Sequence, residues 1–137
     1  MSIEEVPHAE AGKVNKFLKQ QEEKYYTAEK IPNDKKTIAV YIKKDKKIIG
    51  GMSGYTKWNI LYLKHFYLDK SLRYQGMGMK ILKKIITIAK ARGCKYAIFT
   101  TVDVGAPSLF NAYECKIIST FDHTPSNHMY YMYRATL

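Results

Sequence analysis

The sequence predicts an α/β protein built on a mixed sheet, and three observations predict it. Two strand patterns separated by a short polar turn form a hairpin early in the chain. A third strand pattern leads into a long amphipathic helix and back to a fourth strand. A short helix and a second hairpin close the chain. Hairpin, strand, helix, strand, helix, hairpin calls for one sheet with both parallel and antiparallel neighbours. The strands at 58–68 and 95–101 are joined by a helix, so they run parallel with a right-handed crossover.

Each element has a local reason. From Pro7 to about Tyr25, Val14, Phe17, Leu18, Gln21 and Tyr25 recur at helical spacing, and Pro7 suits a first turn. Ile31-Pro-Asn-Asp34 is a loop. Thr37 to Ile42 is rich in β-formers, Asp45 sits at a turn, and Lys47 to Tyr55 is the second strand. Gly50, Gly51 and Gly54 mark a bulge or a close backbone approach. Trp58 to Leu68 alternates Ile60, Tyr62, Lys64, Phe66 and Leu68 with Leu61, Leu63, His65 and Tyr67. Both sets are largely apolar, which makes the strand central. Gln75 to Arg92 is a helix with Ile81, Leu82, Ile85, Ile86 and Ala89 inward; Lys80, Lys83, Lys84 and Lys90 lie outside and Gly93 ends it. Lys95 to Thr101 is a strand. Ala106 to about Glu114 is a short helix with Pro107 in its first turn, and Cys115–Phe121 and His128–Arg134 are the closing strands.

At 137 residues the chain reads as one domain, 1–137, long enough to bury a core. The 46% hydrophobic content excludes general disorder. No apolar run approaches the ~18 residues of a membrane helix. The start, Met1-Ser-Ile-Glu-Glu-Val-Pro, has neither the basic region nor the apolar stretch of a signal peptide. Cys94 and Cys115 are too few for a disulfide framework and fit a reducing cytoplasm. The net charge of +11 suits an acidic partner or polyanionic ligand, or a solvated lysine surface. The lysines are spread without a block of like charge, which favours the second reading. His8, His123 and His128 lack metal-ligand spacing, so no metal site is expected. The Met129-Tyr-Tyr-Met-Tyr133 run has the period of a closing strand rather than of a base-stacking platform.

The junction Arg73-Tyr-Gln-Gly-Met-Gly78 lies between the third strand and the long helix. Glycines let the backbone approach a ligand closely, and the helix start offers unpaired N–H groups and a partial positive charge. A phosphate or pyrophosphate fits there. The dinucleotide fingerprint fails because Ile81 takes the third glycine's place, and Gly78-Met79-Lys80 does not supply the end of a nucleotide-triphosphate loop.

Arg73-x-x-Gly76-x-Gly78 resembles the acyl-coenzyme-A pyrophosphate loop of the GNAT superfamily of N-acetyltransferases. The strand before it, the helix and strand after it, and Asp103-x-x-Ala106-x-x-Leu109-Phe110, spaced like the family's Asn-x-x-Ala-x-x-Leu-Tyr segment, extend the resemblance over roughly Thr37 to Arg134. It implies a GNAT-like mixed central sheet with a splayed parallel strand pair, flanked by helices. It implies acetyl-CoA or CoA as co-substrate, held by Arg73, Tyr74, Gln75, Gly76, Met77, Gly78 and Met79 at the pyrophosphate. Phe66, Tyr67 and Leu68 would hold the pantetheine arm, and Asp103 and Phe110 would also bind the coenzyme.

The implied reaction is acetyl transfer to a primary amine by direct attack through a tetrahedral intermediate. A lysine-like ammonium has a pKa near ~10.4, so freeing its lone pair at pH 7 costs roughly 4.6 kcal/mol and calls for a base. His65 is the candidate base, with Glu114 and Asp69 behind it. The backbone N–H of Leu68 is the candidate oxyanion donor. The family's proton-donating tyrosine falls on Phe110, which has no proton to give, and its Gly-Phe pair is Glu114-Cys115; Tyr113, one turn on, is the stand-in acid. Tyr55 and Trp58 are candidates for the acceptor mouth or for plain packing. The acceptor is a small-molecule or protein amine, and a homodimer is left open. Two rivals remain: a degenerate member that binds acyl-CoA without turnover, and a basic nucleic-acid-binding domain.

Overall fold

The computed structural model describes residues 1–103 and 105–137. They fall into two compact units, Met1–Asn33 and Asp34–Leu137. The first holds a 3-10 turn at His8–Glu10 and helix α1, Ala11–Ala28. Pro7 lies one residue outside the turn rather than in it, and its carbonyl accepts from the N–H groups of Glu10 and Ala11.

The second unit is one six-stranded sheet with two helices. In chain order it contains β1 (Lys36–Lys44), β2 (Lys47–Lys57), β3 (Ile60–Leu68), α2 (Met77–Ala91), β4 (Tyr96–Val102), α3 (Pro107–Ala112), β5 (Lys116–Asp122) and β6 (Met129–Thr136). The sheet order is β1-β2-β3-β4-β6-β5. β3 and β4 run parallel and the other neighbours antiparallel, so the mixed sheet and central third strand are as expected.

The boundaries shift where the backbone turns left-handed. Asp45 and Lys46, and again Trp58 and Asn59, have positive φ. They form two-residue hairpin loops whose twist matches the flanking strands. Trp58 is therefore a turn residue and β3 starts at Ile60. Gly76 has φ 75°, outside the helical region, so α2 starts at Met77 rather than Gln75.

One face of the sheet is the core. Leu61, Leu63, Ala97, Phe99, Tyr133 and Ala135 come from its strands, and Ile81, Leu82, Ile85, Ile86 and Ala89 from the inner stripe of α2. Leu61, Leu82, Ile85 and Phe99 are completely buried, worth about 1.5–3 kcal/mol each by transfer from water. Phe110 of α3 stacks on Phe99 with ring centres 4.8 Å apart. Arg92, past the end of α2, donates to the buried Thr56 hydroxyl at 3.2 Å and to the Thr37 carbonyl at 3.1 Å. The helix's two ends are thus fixed differently: the C-terminal end is tied to β1 and β2, and the N-terminal end is left to the loop.

Candidate active site

The site begins with a bulge. β2 and β3 pair regularly from Leu68 back to His65, but Ser53 opposes His65 and the next residue, Gly54, opposes Leu63. Lys64 is the extra residue. Gly54 makes this possible, since a Cβ there would land on the Tyr62 carbonyl oxygen. A bulge adds local twist and bends its strand. Beyond it β3 and β4 part: parallel pairing runs from Ile60↔Tyr96 to Leu63↔Phe99 and stops. β3 continues on β2 to Leu68, and β4 continues on β6 to Val102.

The bulge also resets which way side chains point. Strict alternation groups Phe66 with Tyr62, opposite Leu63. In the structure Leu63 and Phe66 both pack on the core, so Lys64 and His65 between them both turn outward and are exposed. Lys64 points to the sheet face opposite α2, where its ammonium lies 5.9 Å from the ring centre of Tyr55, itself stacked on Tyr62.

The parted strands leave backbone groups facing the gap. The N–H of Asp69 donates to the Ile49 carbonyl at 2.8 Å. That bond makes Gly50/Leu68 a wide, non-hydrogen-bonded pair, and two residues back Met52/Phe66 is another. The N–H and C=O of Phe66 and Leu68 therefore point away from β2, toward the space β4 has vacated. One of these groups is taken: Arg73 donates from Nε to the Leu68 carbonyl at 3.0 Å. This bond folds the glycine loop back against the end of β3.

The loop itself is built by short-range bonds. Asp69 accepts from the Ser71 hydroxyl at 2.7 Å and the Ser71 N–H at 3.3 Å, capping a 3-10 turn over Lys70–Leu72. Those bonds hold its carboxyl below the usual range. Gln75 donates to the Ser71 carbonyl at 2.7 Å. Tyr74 and Gly76 are both left-handed. Gly76, at the N-cap, brings no side chain to cover the first N–H groups of α2. Gly78 lets α2 settle onto β3, because a Cβ there would come within 3.3 Å of the Phe66 ring.

Together these elements enclose a cleft of about 780 Å³, within the usual range of ligand pockets. Arg73, Tyr74, Gly76 and Gly78 line its loop end, and Leu63, Phe66, Met79, Leu109 and Phe110 its apolar wall. Thr100, Thr101 and Ser108 supply hydroxyls from the β4 side, and Lys64 and His65 line the opening on the far face. Gly105 secures the turn into α3, since a Cβ there would meet the Thr101 hydroxyl. That hydroxyl accepts from the Ala106 N–H at 3.0 Å.

The structure brings His65, Phe66, Tyr67, Leu68, Arg73, Tyr74, Gly76, Gly78, Met79 and Phe110 to this cleft. It does not bring Gln75, Met77, Asp103 or Tyr113 to its lining. The Asp103 carboxylate instead meets Nδ1 of His128 at 2.8 Å and accepts from the Met129 N–H at 3.1 Å, joining the ends of β4 and β6. Tyr113 caps α3 and packs on the core, and burial, with Cys115 beside it, pushes its phenol pKa up. Trp58 lies at the other end of β3, and Tyr55 packs on Tyr62; neither lines the cleft. Lys64, Thr100, Thr101 and Ser108 also line the cleft, and no motif in the sequence marks them as ligand-binding residues. Gly54 was the sequence signal for the bulge that presents Lys64. Among the described residues, no group of three His, Cys, Asp or Glu side chains is placed to hold a metal ion. Nor is any helix among them long and apolar enough to cross a membrane.

Comparison with known proteins agrees with this geometry. The model of the acetyltransferase (GNAT) family matches residues 7–116. Among solved structures, an acetyltransferase from Bacillus cereus is similar over 100% of this chain and 98% of its own, at 20% identity and TM-score 0.85. A candidate acetyltransferase from Agrobacterium tumefaciens is similar over 100% and 98%, at 23% identity and TM-score 0.78. A candidate streptothricin acetyltransferase from Bacillus anthracis, solved with acetyl coenzyme A, is similar over 80% of this chain and 67% of its own, at 18% identity and TM-score 0.64. At these identities the likenesses speak for the fold. No curated protein matches the sequence. The family match spans most of the chain and falls on the parted strands, the loop and the helix just described: this protein belongs to the GNAT family of acetyltransferases.

Proposed function

We propose that residues 1–137 act as one N-acetyltransferase domain, moving an acetyl group from acetyl coenzyme A to a primary amine. The observation that carries this reading is the continuity of the cleft. Gap-facing backbone at Phe66 and Leu68 leads directly to the uncapped N-terminus of α2. An extended amide-bearing arm pairs with such an edge as an added strand would, and a diphosphate suits such a helix start. The donor set fits the coenzyme: amides for the arm, Arg73 and the α2 amides for the phosphates, apolar walls between them. The similar Bacillus anthracis structure, solved with acetyl coenzyme A, supports the same assignment.

The thioester supplies the activated acetyl group. The chain's part is to bind, orient and move protons. His65, at the far opening, takes a proton from the incoming ammonium. The amine nitrogen then attacks the thioester carbonyl, forming the C–N bond. The Leu68 N–H, aimed into the gap, stabilises the developing oxyanion. As the oxyanion collapses the C–S bond breaks, and the second proton on nitrogen passes through water to the departing thiolate. The products are an N-acetyl amide, free thiol and one proton released to solvent. A thiol's pKa is near ~8.5, so the thiolate leaves without an obligatory acid. Phe110, which is 4% exposed, stacked on Phe99 and tilted against Tyr133, needs no hydroxyl in this scheme.

A second reading has a specific observation behind it. With a buried phenylalanine at the family's tyrosine position and Tyr113 off the cleft, the domain would bind acyl-CoA without turnover. Two measurements decide. A thermal-shift titration with acetyl coenzyme A at ~100 times its dissociation constant should add about 2.7 kcal/mol of stability. Thiol release with a broad amine panel should then exceed hydrolysis. Cys94 and Cys115 are buried, so they add little background to a thiol reagent. A shift without release establishes the binding-only reading, and absence of both removes the coenzyme assignment.

A further inference from the structure

We propose that Lys64 makes this cleft select acceptor amines that carry a carboxylate. The inference rests on the acetyltransferase reading above and goes on to name the acceptor's chemistry. The coenzyme's diphosphate claims the α2 side of the cleft, where Arg73 and the helix amides lie. The acceptor is left the far side, opened by the bulge. That side presents Lys64 and His65 together, because the extra residue turns both outward.

The electrostatics point one way. None of the described residues lining the cleft is an aspartate or glutamate. Of the acids closest in sequence to the lining, Asp69 accepts from Ser71, Asp103 holds His128 and the Met129 N–H, and Glu114 is exposed outside the lining. A polycation such as a polyamine needs carboxylates to hold its surplus ammonium groups, and here it would meet the Lys64 ammonium instead. Lys35 lies over the same Tyr55 ring as Lys64, at 4.3 Å, and adds positive charge on that face. The +11 chain also draws anions toward its surface.

An amine bearing a carboxylate gains from this arrangement, because its carboxylate pairs with the Lys64 ammonium in a charge-assisted bond. His65, adjacent on the chain, is placed to accept the amine's proton.

The test compares acceptors that differ only in charge. 4-Aminobutyrate against 4-aminobutyramide, and N-α-acetyl-lysine against its amide, keep the reacting amine constant within each pair. Spermidine is the polycationic control. Thiol release is measured with saturating acetyl coenzyme A, and acceptor binding to the coenzyme-A-loaded protein by calorimetry. In at least one pair the acid should exceed its amide about tenfold in kcat/KM, as for one charge-assisted contact. Spermidine should be the poorest acceptor. Lys64→Gln should bring acid and amide within about threefold of each other and Lys64→Glu should reverse their order, both with the acetyl-coenzyme-A thermal shift unchanged. The side chain is exposed, so neither variant threatens folding.

Equal acid and amide in both pairs, or spermidine as the best acceptor, overturns the proposal while leaving the acetyltransferase reading intact. Preferential, Lys64-dependent binding of the acid without turnover supports the acceptor site and overturns the enzymatic reading. Absence of coenzyme binding overturns both.

Discussion

Gly76 and Gly93 both have positive φ, 75° and 90°, and bracket α2 at its two ends. A β-branched residue at either pays a backbone penalty of about 1–3 kcal/mol. Only Gly76 sits where the coenzyme's phosphates are proposed to lie. Gly76→Val should therefore lower the melting temperature by a few degrees and also erase the acetyl-coenzyme-A thermal shift. Gly93→Val should lower it comparably and keep that shift. If Gly76→Val retains the full shift, the loop is not the phosphate site. The acid and base separate in the same way. His65→Gln should reduce kcat about 100-fold or more with coenzyme binding unchanged, in keeping with loss of a general base. Tyr113→Phe should change kcat less than threefold, because Tyr113 is outside the cleft lining and thiolate departure needs no acid in the scheme above. Buried Cys115 makes a prediction about pH. Burial pushes its pKa from the ordinary thiol value near 9.0 up to about 11. A folded-state pKa above the unfolded one adds stability that is complete below the unfolded value and is lost as pH rises through the folded one. The melting temperature should therefore fall between pH 9 and 11, and Cys115→Ala should flatten that fall.

At the scale of elements, the bulge in β3 decides what the site is. Gly54→Val would drive a side chain onto the Tyr62 carbonyl and press β2 and β3 apart. It should cost about 2–4 kcal/mol in a denaturant titration and abolish coenzyme binding in whatever remains folded. Gly12→Ala, where a new Cβ meets nothing within 4 Å on α1, should instead stabilise by up to about 1 kcal/mol. The same bulge explains what could be read beforehand. The parallel pair follows from the helix that joins two strand patterns, the inward stripe of α2 from hydrophobic period, and the loop from Gly76 and Gly78 beside a helix start. Three glycines in β2 announced an irregularity, yet period-two reading cannot say which strand receives the extra residue. Strict alternation accordingly puts Phe66 on the face opposite Leu63 and separates Lys64 from His65. The Asp103–His128 bond was illegible for another reason. It joins residues 25 apart in sequence across the ends of two strands, and no local pattern encodes it.

At the scale of the whole molecule, the question is what +11 is for. A nucleic-acid binder and a coenzyme binder both welcome polyanions, but they answer differently to salt. Binding to a duplex through several phosphates releases a counterion at each, so affinity falls by roughly 10³–10⁵ between 50 and 200 mM salt for 6–10 contacts. The proposed coenzyme site concentrates its charge recognition at one loop, while backbone pairing at Phe66 and the apolar wall of Leu63, Met79 and Leu109 do not depend on ions. Its affinity should therefore drop only about tenfold or less over the same range, as screening shortens the reach of the surrounding lysines to the ~8 Å Debye length near physiological salt. Calorimetric titration of coenzyme A at 50 and 200 mM salt measures this directly, and a duplex and a single strand serve as comparison. A steep collapse of coenzyme affinity, together with tight duplex binding at low salt, would assign the basic surface to nucleic acid. A shallow slope with no duplex binding leaves the lysines to solubility and to drawing the proposed polyanionic donor toward its loop.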